Sequence, residues 1–134
     1  MALVLIVDDS KTARTYCRAI LAAAGHEVME ASDAEHALDR MADHPPDCVV
    51  LDLLMPGLSG IEMMEVLGGR AEPTPIVVLT SSMVEADRTR CLRLGARAFV
   101  QKPVSCEELT RAVQDALTGR DSQVAEAPGG LMGR

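Results

Sequence analysis

An α/β fold with a doubly wound parallel sheet of five strands is predicted by three observations. Five short apolar runs rich in β-branched residues alternate with amphipathic stretches along the chain, the pattern left by repeated βα units. The first, third and fourth runs are apolar on both faces, as strands covered by helices on both sides must be. Four of the amphipathic stretches open on a serine followed three residues later by a glutamate, the spacing at which two side chains satisfy the free N–H groups of a helix start.

Each element has its own signal. The run LVLIV (3–7) reads as a central strand, followed by a helix over about 11–24 whose Ala13, Cys17, Ile20 and Ala24 recur on one face and which Gly25 ends. EVMEA (27–31) interleaves Glu27 and Glu30 with apolar residues and reads as a half-exposed edge strand; Ser32 and Glu35 open the next helix, 33–43. CVVL (48–51) is a second central strand, and Ser59 with Glu62 starts a helix over 60–68. IVVLT (76–80) is a third, and Ser82 with Glu85 starts a helix over 83–94 that Gly95 stops. AFVQ (98–101), flanked by Arg97 and ending at Gln101, reads as the other edge strand, and Ser105 with Glu108 opens the last helix, 105–118, with Leu109, Val113 and Ala116 or Leu117 on one face.

With 134 residues, the chain suits one buried core. We read residues 1–119 as a single domain and 120–134, which contain Pro-Gly-Gly and no sustained period, as a flexible tail or the start of a linker. Tyr16 and Phe99 are the only aromatics, so Val, Ile, Leu, Met and Ala must fill the core. A net charge of −7 with no basic cluster argues against direct nucleic-acid binding. Cys17, Cys48, Cys91 and Cys106 show no C-x-x-C spacing and no metal pattern with His26, His36 or His44, so they read as reduced core residues. No signal peptide or membrane-spanning run is present, which makes the cytoplasm the default compartment and a membrane partner unexpected.

In an open parallel sheet, ligands bind at the carboxyl ends of the strands. At those ends stand Asp8 and Asp9 after the first strand, Asp52 after the third, Thr80 closing the fourth, and Lys102 then Pro103 after the fifth. Three convergent carboxylates cannot all stay ionised cheaply, so protons or a cation must enter, and Mg²⁺ suits a partly hydrated oxygen site. Lys102 balances the remaining charge and the Thr80 hydroxyl can donate to a phosphoryl oxygen. Such a set handles phosphoryl transfer by position and charge.

The segments LIVDDS, VVLDLLMPGLSGIE, IVVLTSS and GARAFVQKPV resemble, in order and spacing, the receiver domains of two-component response regulators, over residues 3 to about 118. The resemblance implies a flavodoxin-like (βα)₅ fold of strand order 2-1-3-4-5. It also implies that Asp52 is the phospho-acceptor for a sensor histidine kinase or phosphotransfer protein, and that the chain is no enzyme beyond its own phosphorylation and dephosphorylation. Asp9, Asp52 and the backbone carbonyl of Leu54 would hold Mg²⁺, with Asp8 acting mainly through metal-bound water. Thr80 and Phe99 would form the switch, Lys102 would pair with the phosphoryl group, and the Lys102–Pro103 peptide would be cis.

In the edge strand, Phe99 shares parity with Arg97 and Gln101, so it is expected among polar neighbours on the less covered face. The readout face toward a downstream protein would be the fourth helix, fifth strand and fifth helix, where a homodimer can also form, with Arg88, Arg90 and Arg93 supplying charge. Leu54 and Ser82 occupy the two positions that vary in the family and tune phosphoryl lifetime.

Three other readings compete. A haloacid-dehalogenase-type phosphatase needs an acid two residues after its nucleophile, where this chain has Leu54. A flavin binder needs aromatic walls and a phosphate-cradling loop. A phosphorylation-independent interaction module would keep the fold and have no use for the complete acid set.

Overall fold

The computed structural model describes residues 2–68 and 74–119; the tail or linker expected at 120–134 lies outside them. Ten elements alternate: β1 (Leu3–Val7), α1 (Lys11–Ala23), β2 (Glu27–Ala31), α2 (Ala34–Asp43), β3 (Cys48–Leu51), α3 (Gly60–Gly68), β4 (Ile76–Thr80), α4 (Glu85–Arg93), β5 (Ala98–Gln101) and α5 (Cys106–Leu117). The strands pair in parallel in the order β2-β1-β3-β4-β5, as the sequence predicts. Chain order reverses beside β1, so a crevice opens at the carboxyl ends of β1 and β3.

The two faces of the sheet carry separate cores because alternate strand residues point to opposite sides. Leu5, Val7, Val49, Leu51 and Val78 pack under α2, α3 and α4, with Met63, Met64 and Leu67 of α3 above them. Val4, Ile6, Val50, Val77 and Leu79 pack under α1 and α5, against Leu21, Leu109 and Val113. Each fully buried aliphatic side chain is worth about 1.5–3 kcal/mol relative to exposure. Every residue of β3 and β4 is buried, which is why those runs needed no polar alternation.

Several expectations are corrected. On α1 the buried stripe is Cys17, Ile20 and Leu21, with Ala24 exposed as the C-cap. Gly25 and Gly95 do end their helices, at φ 94° and 103°, a left-handed conformation that a Cβ disfavours. Capping boxes form at Ser59/Glu62 and Ser105/Glu108. At α2 the cap is Asp33, one residue beyond Ser32, and its carboxylate accepts from the His36 N–H at 2.7 Å; a negative charge suits a helix N-terminus. At α4 the N-cap is Val84, without a side-chain bond, because the Ser82 hydroxyl donates to Asp87 at 2.7 Å and accepts from the Val84 N–H.

The edge strand β5 is also less exposed than its polar residues imply. Only Gln101 is exposed there, since α4 covers one face and α5 with Val104 the other. Phe99 is 7% exposed and belongs to the core that holds Cys91 and Ala96, not to a half-open surface. Cys106 departs in the other direction: it is exposed at the start of α5, while Cys17, Cys48 and Cys91 are buried.

Candidate functional site

The carboxyl ends of β1, β3, β4 and β5 bring Asp8, Asp9, Asp52, Thr80 and Lys102 to one edge of the sheet. Carboxylate oxygens of Asp8, Asp9 and Asp52 lie within 4.8 Å of one another. Asp8 and Asp52 are buried and Asp9 is exposed, so the cluster has two acids in the floor and one at the mouth.

Local bonding fixes the two buried acids. Asp8 closes onto the start of α1: its Oδ1 accepts from the Ser10 N–H at 2.9 Å, and Ser10 itself caps α1 by accepting from the Ala13 N–H. The Asp52 N–H bonds to the Val7 carbonyl, which sets β3 in register with the end of β1. Its Oδ1 accepts from the Leu54 N–H at 3.2 Å. Leu54 itself is exposed, two residues past Asp52.

The cation comes from across the sheet. Lys102 Nζ donates to Asp8 Oδ2 at 2.7 Å and stands 3.6 Å from Asp52 Oδ2. Burial by itself would push the ammonium down, but the hydrogen bond to Asp8 and the charges of Asp52 and Asp8 prevail and hold its pKa above the ordinary lysine value. Lys102 is therefore cationic throughout the neutral range, and its backbone N–H completes the end of the β4–β5 ladder at the Thr80 carbonyl. The following Lys102–Pro103 peptide is cis.

Thr80 is fully buried, and its hydroxyl oxygen accepts from the Ser82 N–H at 3.2 Å. Ser82 in turn reaches Asp87 in the first turn of α4. A cleft of about 230 Å³ lies between this loop and β5, lined by Ser82, Met83, Val84, Glu85, Arg88 and Phe99. Ser82 thus stands between the two: it bonds to Thr80 and lines the cleft beside Phe99, which pairs with Val78 on the neighbouring strand.

Arg14 is a site residue that the sequence pattern did not single out. Its guanidinium donates to the Asp8 carbonyl at 2.6 Å and to Glu30 of β2 at 3.0 Å. Glu30 also accepts from Arg18, which with Arg14 holds its carboxyl below the usual range. The available signal was an acid in an edge strand beside two arginines four residues apart on α1, a pattern common on ordinary surfaces.

Hard oxygen donors in this number and spacing fit a small divalent cation such as Mg²⁺. The donor set contains no imidazole or thiolate; Cys17, a buried thiol that feels the charges of Asp8 and Lys102, is pushed up to about 11, chiefly by burial, and stays protonated.

Comparison with known proteins agrees with this geometry. Residues 4–114 match the model of the response regulator receiver domain. The chain is 39% identical over 106 residues to the response regulator MprA of Mycobacterium tuberculosis, covering 79% of this chain and 46% of MprA. It is 36% identical over 115 residues to the sensory/regulatory protein RpfC of Xanthomonas campestris, covering 83% of this chain and 16% of RpfC. It thus spans less than half the length of either relative. Among solved structures, the chemotaxis response regulator CheY4 of Vibrio cholerae superposes with a TM-score of 0.80 at 31% identity, over 87% of this chain and 99% of that one. The receiver domain of NtrX from Brucella abortus gives 0.81 at 29% identity, over 86% and 98%. Receiver domains are phospho-accepting signalling modules that bind Mg²⁺ at an acidic pocket, and an acidic pocket at the expected strand ends, five parallel strands in the expected order and a family match over most of the sequence place this chain in the response regulator receiver domain family of two-component signalling.

Proposed function

We propose that the chain takes a phosphoryl group onto Asp52 from a phosphohistidine on a sensor histidine kinase or phosphotransfer protein in the cytoplasm, and then signals to a downstream protein. The observation that carries this reading is the meeting of three carboxylates within 4.8 Å with the Lys102 ammonium 2.7 Å from Asp8 and 3.6 Å from Asp52.

In this reading an Asp52 carboxylate oxygen attacks phosphorus, forming a P–O bond as the P–N bond to the donor imidazole breaks. The bond pair returns to the imidazole nitrogen, which takes up a proton. The Leu54 N–H fixes the plane of the attacking carboxylate through its bond to Oδ1. Lys102 then transfers its attraction from the acids to the phosphoryl oxygens, which move into its range as the acyl phosphate forms. Thr80 exchanges its role as acceptor from Ser82 for donation to a phosphoryl oxygen. Asp9, Asp52 and the Leu54 carbonyl would hold Mg²⁺, with Asp8 bound through water, and the ion supplies positive charge against the developing phosphoryl charge. The same site would return the group to water, with no other substrate.

The output face in this reading is α4, β5 and α5, with the cleft beside Phe99 as its adjustable part and with a second copy of the chain among its partners. In this reading the cleft gives the buried Phe99 ring a second resting place. No described helix is long and apolar enough to cross a membrane.

The test is intact mass after incubation with a small acyl-phosphate donor and Mg²⁺. One labile phosphoryl adduct is expected on the wild type, absent from Asp52→Asn and lost with chelator. A folded wild-type protein without the adduct, both with the small donor and with phosphorylated histidine kinases, would move the assignment to a phosphorylation-independent module.

A further inference from the structure

Tyr16 makes the longest sequence-range side-chain bond onto the backbone near the site. It lies on α1 with its residue surface 47% exposed, yet its hydroxyl donates at 2.7 Å to the carbonyl of Val104. An exposed ring with its polar tip spent on a partner is an amphipathic side chain used as a strap.

The strapped segment is the one that carries Lys102. Residues 102–105 link β5 to the capped start of α5. The Lys102 N–H bonds to Thr80, Pro103 has no N–H to offer, and the Val104 side chain is buried among Leu109 and Val113. The Val104 carbonyl is two residues from the Lys102 backbone, so a change in its position is passed directly to the root of the Lys102 side chain. The ammonium of that side chain meets Asp8 at 2.7 Å and stands 3.6 Å from Asp52.

We propose that Tyr16 is a positioning residue for phosphoryl transfer: its hydroxyl anchors the Val104 carbonyl and thereby sets where Lys102 stands over the acid cluster. The role in transfer rests on the reading of Asp52 as phospho-acceptor; the role in placing Lys102 stands on the geometry alone. The Tyr16 hydroxyl is bonded to the Val104 carbonyl and not to a carboxylate, so it acts only through Lys102.

Tyr16→Phe removes the hydroxyl and keeps the exposed ring, which makes it the variant to compare with the wild type. Three quantities are read on each: the side-chain ¹⁵N signal of Lys102 by NMR, the phosphorylation rate against the concentration of a small acyl-phosphate donor with Mg²⁺, and the melting temperature. In Tyr16→Phe the Lys102 signal is expected to shift toward that of a solvent-exposed lysine. The maximal rate is expected to fall about three- to tenfold, the scale of one lost hydrogen bond expressed through orientation. The donor concentration for half-maximal rate and the melting temperature are expected to hold.

A Tyr16→Phe protein with a wild-type Lys102 signal overturns the proposal, whatever happens to its rate. A lower melting temperature with an unmoved Lys102 signal also overturns it, leaving Tyr16 as a tie between α1 and the loop. If the wild type accepts no phosphoryl group, the reading of Asp52 falls, and the Lys102 signal still decides whether Tyr16 places the ammonium.

Discussion

A Cβ atom on residue 60 would stand 2.5 Å from the Asp52 carbonyl oxygen and 2.8 Å from the Leu53 Cα, so α3 begins in contact with the backbone that carries the candidate phospho-acceptor. The contact is reinforced by the Gly60 N–H, which donates to the Leu53 carbonyl. It explains in physical terms why a glycine ends the stretch DLLMPGLSG (52–60): the helix can approach the strand end only without a side chain.

Both obstacles to a Cβ are main-chain atoms that have no rotamer to adopt. Gly60→Ala is therefore expected to lower stability by roughly 1–3 kcal/mol, the usual cost of overpacking. It should also weaken Mg²⁺ binding, because the chain between Asp52 and α3 must shift to admit the methyl group. Urea unfolding and an Mg²⁺ titration of the variant check the two effects. A wild-type midpoint with wild-type Mg²⁺ affinity would show that α3 moves away without cost.

Lys102 and Mg²⁺ compete for the same acids, which gives Lys102→Ala two effects of opposite sign. Without metal, the variant leaves the buried Asp8 and Asp52 carboxylates without the ammonium that stands beside both. With the lysine side chain 24% exposed, the expected loss is roughly 1–3 kcal/mol, below that of a fully buried pair. Mg²⁺ affinity should rise, since the competing ammonium is gone, and saturating Mg²⁺ should restore much of the stability. Phosphorylation of Asp52 should nonetheless slow, because the charge that meets the phosphoryl group is missing.

The pH dependence carries the same signature. The folded-state pKa of Lys102 is raised, so the folded protein holds this proton more tightly than the unfolded chain does. Its contribution is complete below about 10.5, the unfolded value, and is lost as pH rises through the folded value. Metal-free unfolding of wild type and Lys102→Ala, followed from neutral to strongly alkaline pH, should converge at the alkaline end. A difference that stays constant over that range would remove the ion pair as its cause.

How much of this was legible beforehand depended on whether a residue's neighbours were local or distant. Strand boundaries came through because each run is apolar and bounded within a few residues, and the acid cluster came through because parallel topology sends every strand end to one edge. The exposure of β5 did not, since Arg97 and Gln101 speak for their own positions and say nothing of the α4 residues that cover Phe99. Likewise, the serine–glutamate spacing at 82 and 85 looks like a cap until Asp87 draws the Ser82 hydroxyl away. The bonds from Arg14 to Asp8 and from Tyr16 to Val104 were illegible for the same reason, since each depends on how α1 lies against a loop formed elsewhere in the chain.

The cysteines offer a check on the packing itself. Burial pushes the thiols of Cys17 and Cys91 up to about 11 and that of Cys48 up to about 12, with the nearby charges of Asp8, Asp87 and Asp47 adding to the effect. At pH 8 a thiol with a pKa of 11 is ionised about one part in a thousand, and the thiolate is the reactive form. Cys106, by contrast, is exposed. A neutral aromatic disulfide reagent at pH 8 should therefore titrate one thiol quickly in the folded protein and the other three at the pace of unfolding, and Cys106→Ser should remove the fast phase alone. Because the folded state keeps the three buried protons longer than the unfolded chain, stability is full below about 9, the ordinary thiol value, and declines as pH rises through the folded values. Rapid modification of more than one thiol, or a fast phase that survives Cys106→Ser, would mean that α1, β3 or α4 opens to reagent far more readily than cores packed on both faces of the sheet allow.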